Sequence, residues 1–453
     1  MNPEIPIQGF PRLSVVIPVY NAREMLRICL THLFRSRPTR PEECIVVDDG
    51  STDGSARVAV EFGCRVIPVS ERRGPAYARN LGAIAATGDI LFFLDADICV
   101  HPDTLRRVRE SFQAEPGLDA LMGSYDDEPQ QQDFLSQYRN LMHCFVHQNA
   151  RREACTFWSG CGAIRRDVFL KHGGFDESYS RPAIEDIELG YRLQQAGCRL
   201  VLDRDIQVKH LKRWTFWSLL KTDVRDRGIP WTELILRDQQ MPNDLNLHLS
   251  QRISVVLVFL LLGVCGAAAW LWGHLFVLPL LALLMFALGT YWVEGVPTRV
   301  GATLAAVLTG AISLYAWFNG MRAIIPPLCI ALLSLFLRHR YRLEDSRWPR
   351  RLNTTLLALA GAAGLWADIA YLPDHPLIVA VVGIVLLLIL LNNRFYVFLA
   401  AKRGRMFALA AVPFHLLHHF FNGLSFAAGL LLFAWKRLLS PAGVPATVDR
   451  TDA

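Results

Sequence analysis

From Ile253 to Trp292 the chain runs for about 40 nearly unbroken apolar residues, enough for two bilayer crossings at about 20 residues each. A water-exposed fold cannot carry such a stretch on its surface, so the sequence divides near residue 250. Up to about Ser250, charged and apolar residues mix as in a soluble α/β domain. Beyond Ile253 apolar runs dominate, which is why 52% of the 453 residues are apolar and the mean hydropathy reaches +0.25. The first run turns at Gly273-His274. Ala302–Phe318 with Ala323–Leu337, and Thr354–Tyr371 with Pro376–Leu391, read as two further hairpins, the Pro326-Pro327 pair making one arm short or re-entrant. Met406–Trp435 holds one long span or two short ones, with Pro413 and Asn422-Gly423 as breaks. The arginine-rich run Arg338–Arg351 and the basic, aromatic run Asn392–Arg405 are expected on the cytoplasmic side, the second as an interfacial helix. His415, His418 and His419 share one helix face. Their spacing suits a metal set or, with no carboxylate or Cys beside them, polar residues lining a lipid or acceptor cavity.

The soluble part alternates strands and helices, which implies a parallel sheet. Leu13–Tyr20, Cys44–Asp49 and Cys64–Val69 read as strands; Arg23–Phe34 and Gly74–Thr87 read as helices. Asp89–Asp97 follows as an apolar strand running into two carboxylates, Asp95 and Asp97. In an extended chain, side chains two apart share a face. Carboxylates so placed at the C-terminal edge of a sheet suit one hard divalent cation with open positions for diphosphate oxygens, or a solvated turn. Pro18, Tyr20, Asp48 and Asp49 end neighbouring strands at the same edge. Tyr20 there suits base stacking and Asp49 suits a base or ribose donor; packing and turn chemistry are the plainer readings. No G-x-G-x-x-G follows the first strand, which disfavours a dehydrogenase-type dinucleotide fold. The net charge of +6 is modest and no basic stripe carries interleaved aromatics, so nucleic acid is not an expected partner. The ten cysteines are scattered without a C-x-x-C pair and read as reduced thiols of a cytosolic domain. Met1–Pro11 does not read as a secretory signal.

The runs SVVIPVYNA, VVDDGSTDGS, GPAYARNLGAIAATGD and FFLDADI resemble the N-terminal half of family 2 glycosyltransferases with the GT-A fold. The resemblance continues through Gly160-Cys161-Gly162, similar to the family's glycine loop below the acceptor. Glu185-Asp186 looks like its Glu-Asp motif opening a helix, and His210 closes the run Arg199–His210 where the family places a late metal-binding histidine. It implies an inverting transferase using a nucleotide-diphospho-sugar and a divalent metal, Mg²⁺ or Mn²⁺, held by Asp95, Asp97 and His210. Donor contacts are expected from Pro18, Tyr20, Asp49, Arg79 and Asp95. Asp186 is the expected base with Glu185 orienting it, and Trp158, Gly160, Cys161, Gly162, Arg227 and Trp231 are the expected acceptor side.

A carboxylate base fits a hydroxyl acceptor, because a lipid phosphate is already ionised. Relatives that charge polyprenyl phosphate generally lack the Glu-Asp element. The Gln-x-x-Arg-Trp element of processive synthases is not spelled near Gly228-Ile229-Pro230-Trp231, which argues against polymerisation. Arg213–Arg227 suits a helix in the membrane interface or one packed on the soluble domain. The expected organisation is a GT-A α/β domain at 11–235, a linker at 236–252, an all-α transmembrane domain at 253–437 of roughly 6–8 helices with an interfacial helix at 392–405, and a tail at 438–453. This describes a multi-pass membrane enzyme, as in a bacterial inner membrane, acting from the cytoplasm on a lipid-linked or membrane-embedded hydroxyl. The alternatives are a polyprenyl-phosphate transferase, a processive synthase and a catalytically silent scaffold. A transporter would need more ionisable residues within the spans.

Overall fold

The computed structural model describes residues 10–36, 40–243, 245–271, 329–330, 333 and 376–439. The chain divides into two compact units, Met1–Leu249 with Leu424–Ala453, and Ser250–Gly423.

The first unit is built on an eight-stranded mixed sheet. β1 (Leu13–Val19), β2 (Glu43–Asp48), β3 (Arg65–Pro68) and β4 (Ile90–Leu94) pair in parallel in the order β3-β2-β1-β4. β-Branched and aromatic residues fill both faces of β1 and β4, and no residue of β4 is more than 1% exposed. The linking helices are α1 (Arg23–Phe34), α2 (Ser55–Glu61) and α3 (Pro75–Ala85). α1 buries Leu26, Cys29, Leu30 and Leu33, one stripe at helical spacing. α3 opens with proline, whose missing N–H costs nothing in the first turn.

Beyond β4 the order changes. β5 (Ile98–Val100), α4 (Thr104–Ala114), β6 (Ala120–Tyr125) and α5 (Phe134–Asn149) precede β7 (Cys161–Arg165). α6 (Arg166–Lys171), α7 (Glu185–Gln195) and β8 (Leu200–His210) follow. β7 inserts antiparallel between β4 and β6, and β8 lies parallel to β6. Leu94 therefore faces Cys161, and the chain leaving β4 runs past the residues that enter β7. Below the sheet Phe93 meets Phe169 and Phe175 at centroid distances of 5.2 and 5.1 Å. Burying each ring contributes about 1.5–3 kcal/mol.

After β8 come α8 (Phe216–Leu220), capped by Thr215, a π-helical stretch (Lys221–Gly228) and α9 (Ile229–Asp238). This segment packs partly on the soluble unit. Trp214 is 5% exposed with the Arg139 guanidinium over its ring, whereas Trp217 is 70% exposed. The chain end returns to α9. Lys436 pairs with Glu233 at 2.9 Å, and Gly429 lies so close to Thr232 that a Cβ would meet its Cβ at 2.6 Å.

In the second unit, α10 (Leu249–Leu271), α11 (Pro376–Leu391), α12 (Asn393–Arg403) and the start of α13 (Arg405–Leu439) are described. Asn392 donates to Ser254 Oγ and to the Leu388 carbonyl, both at 2.9 Å, so its buried amide is satisfied. Among the described residues two helices are long and apolar enough to cross a membrane, Leu249–Ala267 and Arg405–Leu439. A third appears if Gly383–Leu391 and Asn393–Arg403, bent by 66°, count as one span. α13 continues through Pro413 and Gly423 without a break. The His415 and His419 rings lie 4.4 Å apart, tilted by 41°, and His415 Nδ1 meets the Tyr396 hydroxyl at 3.1 Å. The Gly273-His274 turn, the hairpin 302–337, the arginine run 338–351 and the span 354–371 lie outside the described residues, apart from residues 329, 330 and 333.

Candidate active site

β4 stops at Leu94, one residue before the first carboxylate, because the chain turns there: Ile98 N–H donates to the Asp95 carbonyl at 3.1 Å. Asp95 and Asp97 are thus turn residues, and their side chains diverge instead of sharing a strand face. Asp95 Oδ1 accepts from Arg79 Nη2 at 2.7 Å, while Asp97 Oδ2 lies 3.6 Å from His210 Nε2.

Arg79 is 4% exposed and bridges two carboxylates, its Nη1 donating to Glu185 Oε1 at 2.8 Å. Burial opposes its charge, but Asp95, Glu185 and Asp186 hold it protonated. It is a buried fork between the β4 turn and the N-terminus of α7, not a surface cation. Glu185 Oε2 accepts from the Ala183 N–H at 2.9 Å, so Glu185 is committed to Arg79 and the backbone. Glu185, expected to orient Asp186, makes its hydrogen bonds to Arg79 and the Ala183 N–H, and its charge acts on Asp186.

Asp186 is held by Ser159. Its Oδ2 accepts from the Ser159 N–H at 3.2 Å and lies 3.3 Å from Ser159 Oγ; its Oδ1 accepts from the Ile187 N–H at 2.9 Å. α7 can approach this segment because Gly190 lacks a side chain: a Cβ there would sit 2.3 Å from the Phe157 nitrogen. Burial, and then the neighbouring Glu185 charge, push the Asp186 carboxyl up to about 6 against the pull of Arg79 and Arg227.

On the other side, burial pushes Asp97 up, but His210 and Lys212 outweigh it and hold the carboxyl below its usual range. Lys212 Nζ lies 4.1 Å above the Trp214 ring, and burial lowers its own pKa. The Asp97–His210 separation exceeds a hydrogen bond, yet one cation ~2.0–2.2 Å from each fits between them. With Asp95 turned to Arg79, no group of three His, Cys, Asp or Glu that could hold a metal occurs among the described residues. The donor set is therefore two protein groups, leaving positions for a ligand's oxygens.

Tyr20 is 40% exposed with the Arg72 guanidinium 4.0 Å from its ring centre. Asp49 accepts from the Arg73 and Gly74 N–H groups at 2.7 and 2.8 Å, anchoring the loop that leads into α3. Pro18 lies within β1 opposite Val47. The expected glycine loop is mostly strand: Cys161 and Gly162 belong to β7 and are buried, and only Gly160 precedes it, its carbonyl accepting from the Asp95 N–H at 3.2 Å. Arg227 is the penultimate residue of the π-helical stretch, and its charge favours the ionised forms of Asp186 and Tyr125 and the neutral forms of His143 and His147. Trp231 does not join it. Its indole N–H donates to the Tyr191 hydroxyl at 3.2 Å and its ring packs with Ile184 and Tyr191. Ser159, Tyr125 and Lys212 were not identified from sequence. Ser159 follows Trp158 directly, but nothing in the spacing pairs it with a residue 27 positions on.

Residues 14–173 match the Glycosyl transferase family 2 profile. Glycosyltransferase AglE of Haloferax volcanii is 37% identical over 227 residues, 48% of this chain and 71% of that protein. Validoxylamine A glucosyltransferase of Streptomyces hygroscopicus subsp. limoneus is 30% identical over 229 residues, 43% of this chain and half of that protein. A mannosyltransferase from Pyrobaculum calidifontis, solved with GDP-Man and Mn²⁺, aligns with a TM-score of 0.46 at 20% identity, covering 74% of this chain and 88% of that one.

Proposed function

The chain belongs to glycosyl transferase family 2, and from that premise we propose that it moves a sugar, with inversion, from a nucleotide-diphospho-sugar to a hydroxyl of a lipid-linked or membrane-embedded acceptor at the cytoplasmic face. The observation that carries this reading is the division of the site. Asp186, a carboxyl raised to about 6, stands on one side of the β4 turn, and the Asp97–His210 pair stands on the other.

In this reading Tyr20 and Arg72 hold the base, and the loop anchored by Asp49 shapes the ribose end. Asp97 and His210 would hold a divalent cation, Mg²⁺ or Mn²⁺, which would supply positive charge to the diphosphate. Lys212 adds positive charge beside Asp97. Asp186 accepts the proton of the acceptor hydroxyl as its oxygen attacks the anomeric carbon. The new carbon–oxygen bond forms as the bond to the diphosphate breaks, and Ser159 keeps the carboxylate aimed. Arg79 positions both halves: it fixes Asp95 in the turn and Glu185 beside the base.

The test is nucleoside diphosphate release from a panel of UDP- and GDP-sugars by the full chain, with and without Mn²⁺. At least one donor should be cleaved in a metal-dependent manner, and Asp97→Asn should abolish release while the protein still inserts and folds. Full activity in EDTA, or in Asp97→Asn, would remove the metal role.

A further inference from the structure

β2 and β3 pair with Ile45 opposite Arg65, so Cys44 and Cys64 come level one residue earlier. Their sulfurs lie 3.5 Å apart and hydrogen-bonded, and both thiols are free. Neighbouring strands run ~4.8 Å apart, inside the ~4.4–6.8 Å that a disulfide spans between Cα atoms. Closing the 3.5 Å gap to a bond of ~2.05 Å takes a small movement, and it falls at the edge of the sheet. β3 has four residues, pairs on one side only and buries none of them. Gly63, at φ +75°, ends the turn after α2 and delivers Cys64 to that edge. The turn borders open space, since a Cβ on Gly63 would meet nothing within 4 Å, and Cys64 keeps 9% exposure there. The hydrogen bond also separates the two thiols in acidity. It holds Cys64 below its usual range against burial and, together with burial, pushes Cys44 well above it. Burial pushes Cys29 well above the usual range and Cys99 up to about 12. Cys64 is therefore the sulfur placed to react first.

We propose that Cys44 and Cys64 form a thiol pair that closes to a disulfide on meeting a small-molecule disulfide, clamping the β3 edge to β2. The Cys64 thiolate attacks one sulfur of the small disulfide, whose S–S bond breaks and releases a thiolate. Cys44 gives up its proton, attacks Cys64 Sγ and displaces the second thiolate. The two protein sulfurs are oxidised, the small disulfide is reduced, and the two protons leave on the released thiols. The bond would close a loop that contains α2 and the Asp48-Asp49 pair, restricting the unfolded chain. It would also steady the edge beyond β3, where the Val69 N–H donates to the Asp48 carbonyl at 2.8 Å and Asp49 anchors Arg73 and Gly74. In a reducing compartment such a pair is a sensor and not a permanent staple. The pair's chemistry does not depend on the transfer reading.

The test incubates the full chain in nanodiscs, under native conditions, with 2-hydroxyethyl disulfide. Remaining thiols are alkylated and the peptides mapped by mass spectrometry. The peptides carrying Cys44 and Cys64 should be joined, and 2-mercaptoethanol should separate them. Cys44→Ser should instead retain a mixed disulfide on Cys64, whereas Cys64→Ser should acquire none at Cys44. The oxidised wild type should melt several degrees above the reduced form, and the β3 amides should exchange roughly tenfold more slowly. Both thiols remaining free in a large excess of the disulfide overturns the proposal, as does Cys64 joined to another cysteine. A mixed disulfide forming on Cys44 in Cys64→Ser as fast as on Cys64 in Cys44→Ser overturns the order of attack. A joined pair that leaves melting and β3 exchange unchanged overturns the clamp. The wild-type mapping decides the pairing even where a serine variant fails to fold.

Discussion

Two adjacent carboxylates, Glu185 and Asp186, have different fates because their partners differ. Glu185 is paired with a buried guanidinium, whereas Asp186 is held by a serine and backbone N–H groups, and burial followed by the Glu185 charge raises its carboxyl to about 6. A base must be ionised to work, so kcat/KM of the wild type should rise with pH through about 6. Asp186→Asn should lower turnover ~10²–10⁴-fold and leave no such limb; a flat wild-type profile between pH 5 and 7 would exclude the assignment. The same shift sets a sign for stability. The folded carboxyl holds its proton to higher pH than the unfolded one, so its contribution is complete below the unfolded value near ~3.9 and is lost as pH rises through about 6. Asp186→Asn should therefore melt above the wild type at pH 7.5, the gap closing toward pH 4. Arg79→Gln strands Glu185 without its cation inside the unit. Denaturant melts should show a loss of roughly 3–5 kcal/mol, and Arg79→Lys should recover only part, since a point charge cannot fork between two carboxylates.

Among the elements, the π-helical stretch Lys221–Gly228 departs most from α-helical geometry. It is fastened from within: Arg139 pairs with Asp223 through two contacts, at 3.1 and 2.5 Å, both side chains being buried. That pair fastens the stretch one turn before Arg227. Deleting the exposed Arg225 should let the segment relax toward an α-helix and rotate Arg227 and α9 by ~100°. Folding should survive, as judged by circular dichroism and the melting point, while transfer falls. Undiminished transfer in that deletion would show that the π-helical geometry is incidental.

For the whole molecule, the question is which side of the membrane the site faces. Lys402 and Arg403 close a helix bent by 66° from the apolar stretch before it, and Arg405 opens the next helix, as expected of a chain that leaves the bilayer at a basic surface. The proposed topology predicts that these basic residues face the cytoplasm. A cysteine at position 403 should resist impermeant maleimide in intact cells and react after lysis; labelling from outside would invert the topology.

The sequence by itself determined the alternation of strands and helices, the apolar half and the location of both acidic motifs. These depend on burial patterns within windows of ten to twenty residues, and such windows are complete in the chain. It did not determine where the side chains go. Asp95 and Asp97 looked like one bidentate set on a strand, but β4 ends at Leu94 and the turn separates them. Glu185 looked like a partner for its neighbour, but its charge is satisfied by Arg79, 106 residues earlier. Cys161 looked like loop and became strand because β7 has to pair with both β4 and β6. Trp158 and Tyr125 meet only once β6 and the segment entering β7 pack together. Contacts between distant segments are fixed by which surfaces the closed sheet brings together, and only the tertiary structure decides that.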